Sequence, residues 1–364
     1  MKVLFLSNSV GGLYNFRLEL INRLINDSYK IYAIVPSNQE EDKLEKLGCK
    51  CVTVCMNRHG INIFEDTKLI LDYKKAIKEI DPDIVLSYTV KPNIYGSLVC
   101  RLLGINTIAS ITGLGALESS RVIVRNIVKL LYKIAFRKID TVIFQNKYSM
   151  EFFEKNKLGG KRHVLVAGSG VNLEKFEFCE YPNNKLPIRF LLVARIMREK
   201  GIDEFLEAAK IVCDKYDNII FDIIGFCENN NYEVKLKAFN DSKIINYYGM
   251  QKDVRPFIEK ANAVVLPSYS EGMANSLLEA ASMGRPILAS TVPGCIETFD
   301  EGISGFGFEA RSVNSLVNAL IKFIKLPYED KINMGRAGRA KMEKNFNRNT
   351  VIDEYIKEIG KILD

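Results

Sequence analysis

Apolar residues in the first half of the chain follow two alternating spacings. Short β-branched apolar runs predict buried strands, and the segments between them, with apolar residues three or four positions apart, predict helices. Strands are predicted at residues 2–10, 30–35, 50–55, 83–87, 107–111, 141–144 and 164–166, and helices from about residue 14 and at 39–47, 65–80 and 93–103. Strands alternating with helices at these distances predict an α/β domain whose parallel sheet is covered on both faces.

The same alternation restarts after a segment without periodicity. Residues 167–172 are rich in glycine, and residues 177–187 follow neither spacing, which is typical of a linker. Strands are then predicted at 188–194, 219–224, 244–248, 263–267 and 286–290, with helices at 202–215, 233–239 and 254–260 and one more that carries Glu279. The sequence therefore predicts two doubly wound domains, at residues 1–175 and 186–349, and a C-terminal helix at 350–364 that packs at their junction.

Composition agrees with a globular protein of this kind. Of the 364 residues, 47% are hydrophobic and 26% charged. No apolar run approaches about 18–20 residues, so we expect no membrane-spanning helix, and the first residues are more strand-like than a signal peptide. The eight cysteines are scattered, and Cys49, Cys51 and Cys55 lack zinc-site spacing, which indicates reduced thiols and a cytoplasmic protein. Because the only histidines are His59 and His163, a histidine-rich metal site is excluded and a Ser–His–Asp triad is disfavoured.

Positive charge is concentrated in the first half of the chain. Residues 1–175 contain 26 Lys and Arg against 17 Asp and Glu, whereas residues 176–364 contain 25 against 27. Within residues 119–138 cations recur every four positions with no acid between them: Arg121, Arg125, Lys129, Lys133 and Arg137. Apolar residues occupy most of the intervening positions, so this stretch predicts a basic amphipathic helix.

Such a helix suits an anionic membrane surface or a diphosphate-bearing lipid, and the first four of these cations are the candidate contacts. The alternative is a packed helix with a solvated basic face. No aromatic platform or helix-turn-helix pattern accompanies the cations, so nucleic acid is not expected as a partner.

A second candidate site lies between residues 266 and 294. A predicted strand leads into a loop with Glu271, and a helix carries Glu279 eight positions later. If most of this interval is helical, the carboxylates lie up to about 12 Å apart along the axis, roughly the distance from a sugar ring past a diphosphate to a ribose. Backbone N–H groups at the expected helix start, at Gly272, Met273, Ala274 and Asn275, would favour a phosphate between the two carboxylates. Two charged residues on a solvated helix are the alternative.

Other residues of the second domain extend this hypothesis. Arg195 and Lys200 follow its first strand and precede a helix entered at Gly201, so both can reach one diphosphate, Arg195 as a fork and Lys200 as a mobile charge. Gly225 follows the next strand, and its lack of a side chain permits the backbone to lie close to a bound ligand. Met250 lies in a strand-end loop that could line a pocket for the base.

Strand-end loops of the first domain supply further candidates. Gly11 and Gly12 follow the first strand, but their adjacency does not match the dinucleotide-binding GxGxxG pattern, and a tight turn without a ligand is the alternative. The loops after two later strands contain Thr89, Lys91, Asn93 and Thr112, which are candidate contacts of an acceptor or a donor sugar. Solvated loop residues are the alternative for Lys91 and Asn93.

Taken together, these motifs resemble the GT-B glycosyltransferases of family 4. The resemblance rests on Gly11–Gly12, on Gly170–Val171–Asn172 with Phe176, on Arg195 with Lys200–Gly201, and on Glu271 with Glu279, in the expected order over nearly the whole chain. The segments YTVKPNIYG at 88–96 and ITGLG at 111–115 look like the branch that builds bacterial capsule, O-antigen or lipid-linked oligosaccharides, which includes N-acetylgalactosaminyltransferases.

The resemblance implies two Rossmann-like doubly wound domains facing each other across a cleft, the first binding the acceptor and the second the donor. It implies a retaining transferase that moves an N-acetylhexosamine or related hexose from a nucleotide-sugar, expected to be UDP-linked, without an obligatory metal or other cofactor. The acceptor would be a polyprenyl-diphosphate-linked or other glycan at the inner face of the cell membrane. By matched position, Arg195 and Lys200 would neutralise the leaving diphosphate, Glu271 would hold sugar hydroxyls and Glu279 the ribose, with Gly11, Gly12, Gly272 and Met273 near the donor.

One departure from the family concerns histidine. Many relatives place a histidine in a strand-end loop of the first domain, near the donor sugar, whereas this chain has Thr89, Val90 and Lys91 in one loop and Thr112 in another. The resemblance therefore does not identify the residue that contacts the far side of the sugar. Two other functions are alternatives. One is an isomerase resembling UDP-sugar 2-epimerases, whose cleft acids and histidines are not evident in this sequence. The other is a non-catalytic nucleotide-sugar-binding subunit, against which the intact set of charged motif residues argues.

Overall fold

The computed structural model describes residues 1–37, 40–57, 62–118, 121–227 and 230–364. These residues form two compact units, Met1–Ser169 with Thr350–Asp364, and Gly170–Asn349. His59, on which the histidine argument partly depends, lies outside the described residues, as do the first two residues of the basic stretch.

In its described part, the first unit contains a seven-stranded parallel sheet. The strands are β1 (Lys2–Leu6), β2 (Lys30–Pro36), β3 (Lys50–Val54), β4 (Ile84–Tyr88), β5 (Asn106–Ile111), β6 (Thr141–Phe144) and β7 (Arg162–Leu165). The helices are α1 (Val10–Phe16), α2 (Leu18–Asn26), α3 (Asp42–Glu45), α4 (Ile63–Ile80), α5 (Ser97–Leu103), α6 (Val122–Ala135) and α7 (Lys147–Lys155). The strand order is β3-β2-β1-β4-β5-β6-β7, so the order reverses between β1 and β4.

The described residues of the second unit form a six-stranded parallel sheet. Its strands are β8 (Ile188–Val193), β9 (Ile219–Ile224), β10 (Asn246–Tyr247), β11 (Ala263–Leu266), β12 (Ile287–Ser290) and β13 (Gly305–Phe308). Its helices are α8 (Ile202–Cys213), α9 (Asn230–Asp241), α10 (Arg255–Lys260), α11 (Asn275–Ser282), α12 (Val313–Ile324) and α13 (Tyr328–Asn345), and α14 (Arg348–Leu363) returns the chain to the first unit. The order β10-β9-β8-β11-β12-β13 reverses between β8 and β11.

Both sheets are buried on two faces, as the near-continuous apolar strands predict. In β1, Leu4 and Leu6 contribute to one core of the first unit and Val3 and Phe5 to the other, because alternate side chains of a strand point to opposite faces. The predicted α/β class with two Rossmann-like domains, the architecture of GT-B proteins, is confirmed.

The division of the chain differs from the sequence-based one at the N-terminal end of the second unit, whereas its C-terminal end is the same. Gly170 and Val171 belong to this unit because Val171 exchanges backbone hydrogen bonds with Phe346 and Arg348, and the Arg348 guanidinium donates to the Gly170 carbonyl. A Cβ on Gly170 would lie 2.5 Å from the Arg348 Cα, so this close approach requires glycine. Residues 170–175, assigned above to the first domain, are therefore part of the second unit.

The predicted linker is attached to the second unit by a buried arginine. Arg285 is fully buried, and its guanidinium donates to the carbonyls of Cys179, Glu180 and Ile258, among others. A buried guanidinium needs acceptors for its N–H groups, and the non-periodic linker supplies two of them.

The C-terminal helix has a more specific place than the junction. Val351, Ile352, Tyr355 and Ile359 of α14 join the first unit's core that contains Val3 and Phe5. Polar contacts reinforce this packing: the hydroxyl groups of Tyr355 and Ser110 lie 2.8 Å apart. In that unit, α14 is a covering helix of the sheet.

Several elements were not predicted from the sequence: α7, β13, α12 and α13. The expected glycine turn at Gly11–Gly12 is also wrong, because both glycines lie in the first turn of α1, which Ser9 caps by accepting a hydrogen bond from the Gly12 N–H. Helix α1 starts earlier than predicted, and Ser9 is a typical N-cap residue.

Candidate active site

The order reversal in the second sheet brings Arg195 and Glu271 to neighbouring loops. Arg195 follows β8 and Glu271 follows β11, and these two strands are paired. Loops that leave adjacent strands toward opposite sides open a crevice at the carboxyl edge, where ligands of such sheets bind. The fold thus places predicted donor-site residues where a ligand site is expected.

Lys200 and Glu271 form an ion pair at this edge. Lys200 Nζ lies 2.5 Å from Glu271 Oε1, and both side chains are mostly shielded, with 17% and 12% of their surface exposed. The Ser268 hydroxyl donates to the same carboxylate oxygen over 2.7 Å. Two donors on one oxygen fix the carboxylate, and the pair holds the ammonium group at the loop that contains Arg195.

Gly201 brings the two loops together. It has φ +70° and caps α8, and a Cβ there would lie 2.1 Å from the Pro267 carbonyl oxygen. The Tyr269 N–H also donates to the Glu199 carbonyl over 2.8 Å. A side chain at position 201 would both strain the backbone and force the loops apart.

A second glycine fixes the loop on the far side of Glu271. Gly294 has φ +81°, and a Cβ there would lie 2.5 Å from the Glu271 carbonyl oxygen. Its own carbonyl accepts a hydrogen bond from the Ala274 N–H over 2.8 Å. The loop from Glu271 to Ala274 is therefore fixed by backbone contacts on both sides.

This arrangement corrects the expected phosphate-binding turn. Helix α11 begins at Asn275 rather than at Gly272, and the Ala274 N–H is committed to Gly294. The Ala274 N–H is therefore not available to a phosphate of a bound nucleotide-sugar. The sequence analysis considered only the backbone of Asn275, but its side-chain Oδ1 is buried without a hydrogen-bond partner among the described residues, so an acceptor is available at the helix start.

Glu279 lies one helical turn after the start of α11, in an unusual electrostatic environment. Burial raises its pKa to about 7, against the opposing influence of Arg348 and Lys175. A carboxyl group that changes charge near neutrality fits a ligand-binding position better than a solvated helix face.

Gly225 and Met250 have less direct relations to a ligand. A Cβ on Gly225 would lie 1.7 Å from the Ala194 carbonyl oxygen, so glycine is required there by the neighbouring strand end rather than by a ligand. Met250 is 77% exposed in the loop after β10, close in sequence to Tyr248, which packs on Phe257. Its place in a base pocket remains a prediction.

The first unit has a pocket at its own order reversal. A cavity of about 230 Å³ lies at the carboxyl ends of β1, β4 and β5, and it is lined by Asn8, Met56, Thr89, Val90, Lys91, Thr112, Gly113 and Gly115. Three of the four predicted contacts, Thr89, Lys91 and Thr112, are thus brought together. Thr89 has φ +73°, which is rare for a β-branched residue and is concentrated at functional positions.

Lys91 is held in this pocket by an acid that the sequence did not reveal. Its Nζ lies 2.8 Å from Oδ1 of Asp66, a buried residue of α4, and the Tyr95 hydroxyl donates to the other carboxylate oxygen over 2.9 Å. The only signal in the sequence was an acid near the start of a helix, which is common. The pair shows that Lys91 is not a solvated loop residue.

Asn93 was predicted to contact an acceptor or sugar, and this is wrong. The side chain is buried, accepts a hydrogen bond from the Ser87 hydroxyl over 2.8 Å and donates to the Ser110 carbonyl over 2.9 Å. These bonds join the short helical segment Pro92–Gly96 to β4 and β5. Asn93 supports the pocket without lining it.

Gly11 and Gly12 are not required by neighbouring side chains. A Cβ on either would meet only serine atoms, at 3.4 Å or more. Within the first unit, the start of α1 is therefore not crowded at these two glycines. This is compatible with the prediction that a ligand binds near them.

The four candidate membrane cations lie on or before α6 in different environments. Arg121 and Lys133 are exposed, whereas Arg125 and Lys129 are half-buried. Lys129 donates to the Asn156 side chain over 2.7 Å and its Nζ lies 5.1 Å from the centre of the Phe152 ring, so it stabilises the packing of α6 on α7. Their role at a membrane remains a prediction.

Two kinds of feature are absent from the described residues, a cluster of metal ligands and a membrane-spanning helix. In these residues, no three His, Cys, Asp or Glu side chains are grouped so that they could hold a metal ion. None of the helices within the same ranges is both long and apolar enough to cross a membrane.

Two family models match the chain, one in each half. The model described as glycosyl transferase 4-like matches residues 2–146, and the model described as glycosyl transferases group 1 matches residues 173–341. The chain therefore belongs to the glycosyltransferases, with a 4-like domain followed by a group 1 domain. This confirms the expected family and enzyme class.

Individual relatives agree with this assignment. The N,N'-diacetylbacillosaminyl-diphospho-undecaprenol alpha-1,3-N-acetylgalactosaminyltransferase of Campylobacter jejuni is 26% identical over an alignment of 382 positions, which covers 100% of this chain and 99% of that protein. The UDP-Gal:alpha-D-GlcNAc-diphosphoundecaprenol alpha-1,3-galactosyltransferase of Escherichia coli is 27% identical over 334 residues, covering 86% and 81%. The crystal structure of Anabaena Alr3699/HepE in complex with UDP-glucose superposes with a TM-score of 0.80 at 14% identity, covering 99% of this chain and 100% of that one, which supports the fold.

Proposed function

We propose that this glycosyltransferase moves a sugar from a UDP-sugar to a polyprenyl-diphosphate-linked glycan, with retention of configuration at the anomeric carbon. The observation that carries the proposal is the Lys200–Glu271 pair at the order reversal of the second sheet. A cation for a diphosphate and a carboxylate for sugar hydroxyls are then adjacent at the edge where α/β sheets bind ligands.

The donor would bind to the second unit. Arg195 and Lys200 would contact the diphosphate, Glu271 the sugar hydroxyls, and Glu279 the ribose hydroxyls. The Escherichia coli relative is named for UDP-Gal and the Anabaena structure contains UDP-glucose, and both names support UDP as the nucleotide. The Campylobacter relative is named for N-acetylgalactosaminyl transfer, which supports an N-acetylhexosamine or a related hexose as the sugar.

The reaction would break the bond between the anomeric carbon and the diphosphate oxygen, and form a bond to an acceptor hydroxyl oxygen. The hydroxyl proton would leave with the UDP, and the fixed positive charge of Lys200 and Arg195 would stabilise the negative charge that develops on the diphosphate. We propose that these side chains suffice without an obligatory metal. Both relatives are named as alpha-1,3-transferases, and an α-linked product from an α-configured UDP-sugar supports retention.

The acceptor would bind to the first unit. The pocket lined by Thr89, Lys91 and Thr112 combines hydroxyl groups, one paired cation and apolar surface from Met56, a mixture suited to a glycan. Both relatives act on glycans linked to undecaprenol through a diphosphate, by their names. We therefore propose a cytoplasmic enzyme, peripheral to the inner face of the cell membrane and taking part in the synthesis of a bacterial surface polysaccharide.

A donor screen with a transfer assay tests this proposal. Thermal unfolding is followed with UDP-sugars and GDP-sugars in the presence of EDTA, since a ligand that binds only the folded protein raises its stability with the logarithm of concentration over Kd. We expect stabilisation by a UDP-sugar, and transfer to an undecaprenyl-diphosphate glycan that continues in EDTA. Stabilisation by GDP-sugars alone, or a strict metal requirement for transfer, would contradict the donor or the metal-free part of the proposal.

A further inference from the structure

A second cavity of the first unit lies at the amino ends of β5, β6 and β7. Asn106 and Arg162 are the first residues of β5 and β7, and Asp140 directly precedes β6. The cavity has a volume of about 380 Å³. Six residues line it: Asn106, Asp140, Lys161, Arg162, Lys361 and Ile362. We refer to it as the amino-edge cavity.

The amino-edge cavity is separate from the pocket at the carboxyl edge of the same sheet. Strand β5 connects the two edges: Asn106 is its first residue, and Thr112, which lines the other pocket, follows its last residue. At about 3.3 Å per residue, these two positions are about 20 Å apart. A ligand of the amino-edge cavity therefore does not occupy the place proposed for the acceptor glycan.

Three cations of the amino-edge cavity are held in place by two acids. Lys161 Nζ lies 2.7 Å from Asp140 Oδ1. Glu358, of which only 1% is exposed, lies behind the cavity and pairs with the other two cations. Its Oε1 is 2.6 Å from Lys361 Nζ, and its Oε2 is 3.3 Å from Arg162 Nε. Cations fixed in this way lose less conformational entropy when they bind a ligand.

Hydrogen-bond donors exceed acceptors around this cavity. Each of the four acid oxygens has a donor or a cation of the protein, since Asp140 Oδ2 accepts from the Thr107 N–H over 3.2 Å and Glu358 Oε2 from the Thr141 hydroxyl over 3.0 Å. An ammonium group has three N–H donors and a guanidinium five, and the ion pairs above engage one nitrogen of each cation. Three positive charges and only two negative ones thus leave donors for a further anion.

We propose that the amino-edge cavity binds a small soluble molecule that carries a phosphate or diphosphate group. Arg162 is suited to a forked contact with phosphate oxygens, and Lys161 and Lys361 are suited to contacts as point charges. The volume is in the range of small-molecule sites and exceeds what a bare ion needs, so an organic group attached to the phosphate has room against Ile362. This site does not depend on the glycosyl transfer proposed above.

Calorimetric titration with inorganic pyrophosphate tests the site. The protein carries Lys200→Ala, which weakens binding of pyrophosphate at the candidate active site. We expect Arg162→Gln to weaken the remaining binding by about tenfold or more, because charge-assisted hydrogen bonds are lost. Arg23→Gln is the matched control, since Arg23 also pairs with an acid of α14, Asp353, and its side chain is 49% exposed against 43% for Arg162. It should bind pyrophosphate as tightly as the unchanged protein.

A second variant tests the cavity without breaking an ion pair. Asn106→Asp replaces a neutral amide with a carboxylate in the lining, while Lys161, Arg162 and Lys361 keep their acids. Repulsion between this carboxylate and the phosphate should weaken pyrophosphate binding by about tenfold. Because no existing contact of the helix α14 is removed, this result does not depend on whether Arg162→Gln loosens the packing of α14.

Three outcomes overturn this proposal. The first is that neither Arg162→Gln nor Asn106→Asp weakens the binding of pyrophosphate, in which case the ion pairs serve only to fasten α14 to the sheet. The second is an equal loss in Arg23→Gln, which would show a general response to the charge of the protein. The third is that Arg162→Gln reduces co-sedimentation with phosphatidylglycerol vesicles but does not affect pyrophosphate, which would identify a lipid head group rather than a soluble molecule as the ligand.

Discussion

Lys200 Nζ lies 2.5 Å from Glu271 Oε1, although the two residues are 71 positions apart in the chain. The pair keeps a long, flexible ammonium group at the carboxyl edge of the sheet, where it would otherwise sample many rotamers. If the diphosphate binds here as proposed, it competes for the lysine and leaves the glutamate available for sugar hydroxyls.

Removal of the cation should affect transfer far more than folding. For Lys200→Ala we expect kcat/KM to fall by about a hundredfold or more, since a charge that stabilises the leaving group acts in a shielded site. Lys235→Ala, which removes another paired but more exposed lysine of the same unit, is the control and should have little effect. Initial rates with saturating and limiting donor measure the difference, and similar rates for both variants would exclude the role given to Lys200.

Glu271→Gln should separate binding of the nucleotide from binding of the sugar. Its neutral amide can no longer form the ion pair with Lys200, so the affinity for UDP should stay the same or increase. Turnover of the complete donor should decrease by at least about tenfold, because charge-assisted hydrogen bonds to the sugar are replaced by weaker ones. Calorimetric titration with UDP and a transfer assay test the two parts, and a large loss of UDP affinity would contradict this assignment.

Glu279 should make both stability and donor affinity depend on pH. Its pKa is raised by burial from 4.5 to about 7, so between these values the folded protein binds more protons than the unfolded chain, and stability falls as pH rises. Glu279→Gln should therefore be more stable than wild type by about 3 kcal/mol at about pH 8, and the difference should nearly vanish at about pH 4.5.

The affinity for UDP should change with pH in the opposite direction to the stability of the protein. A carboxylate accepts hydrogen bonds from ribose hydroxyls better than a carboxylic acid does, so the affinity for UDP should increase as pH rises through about 7. This increase should be absent from Glu279→Gln. Thermal unfolding and UDP titrations over the pH range measure both effects, and parallel profiles for the two proteins would show that Glu279 is not the titrating group.

Gly201→Ala should destabilise the protein and displace the Lys200 loop. We expect a loss of about 3 kcal/mol or more, because the new Cβ meets the Pro267 carbonyl and the backbone has a positive φ. Gly249→Ala is a matched control, since Gly249 has φ +66° but nothing lies within 4 Å of its added Cβ. It should lose only about 1 kcal/mol, the backbone part of the effect. Denaturant unfolding measures the free energy of unfolding of both variants. Equal losses of stability would indicate that the close contact with the Pro267 carbonyl is unimportant.

Two polar residues near the first-unit pocket should behave differently from each other. Asn93→Ala should cost about 2 kcal/mol of stability, because its partners Ser87 and Ser110 lose hydrogen bonds in a buried place. Thr112→Val should leave stability nearly unchanged and raise the KM for the acceptor, because Thr112 lines the cavity. Unfolding curves and acceptor kinetics would reveal the reverse pattern if Asn93 were the ligand contact.

The sequence was sufficient for most strands and for the two-domain class, because apolar periodicity reports burial on both sheet faces. It was less informative for α13, in which Gly335 and Gly338 interrupt an otherwise polar helix that packs on α11. It also misjudged Gly11 and Gly12, since glycines next to a strand are more typical of a turn than of a capped helix start.

The sequence by itself determined which chemical groups this protein has at its strand ends: the cations at 195 and 200, the acids at 271 and 279, and the polar loops at 89–93 and 112. Spacing along the chain carries this information because strand ends recur at predictable positions. Only the tertiary structure decided which groups meet, pairing Lys200 with Glu271 and Lys91 with Asp66 and burying Asn93. Such contacts depend on strand order and loop approach, and residues far apart in sequence leave no local pattern that records them.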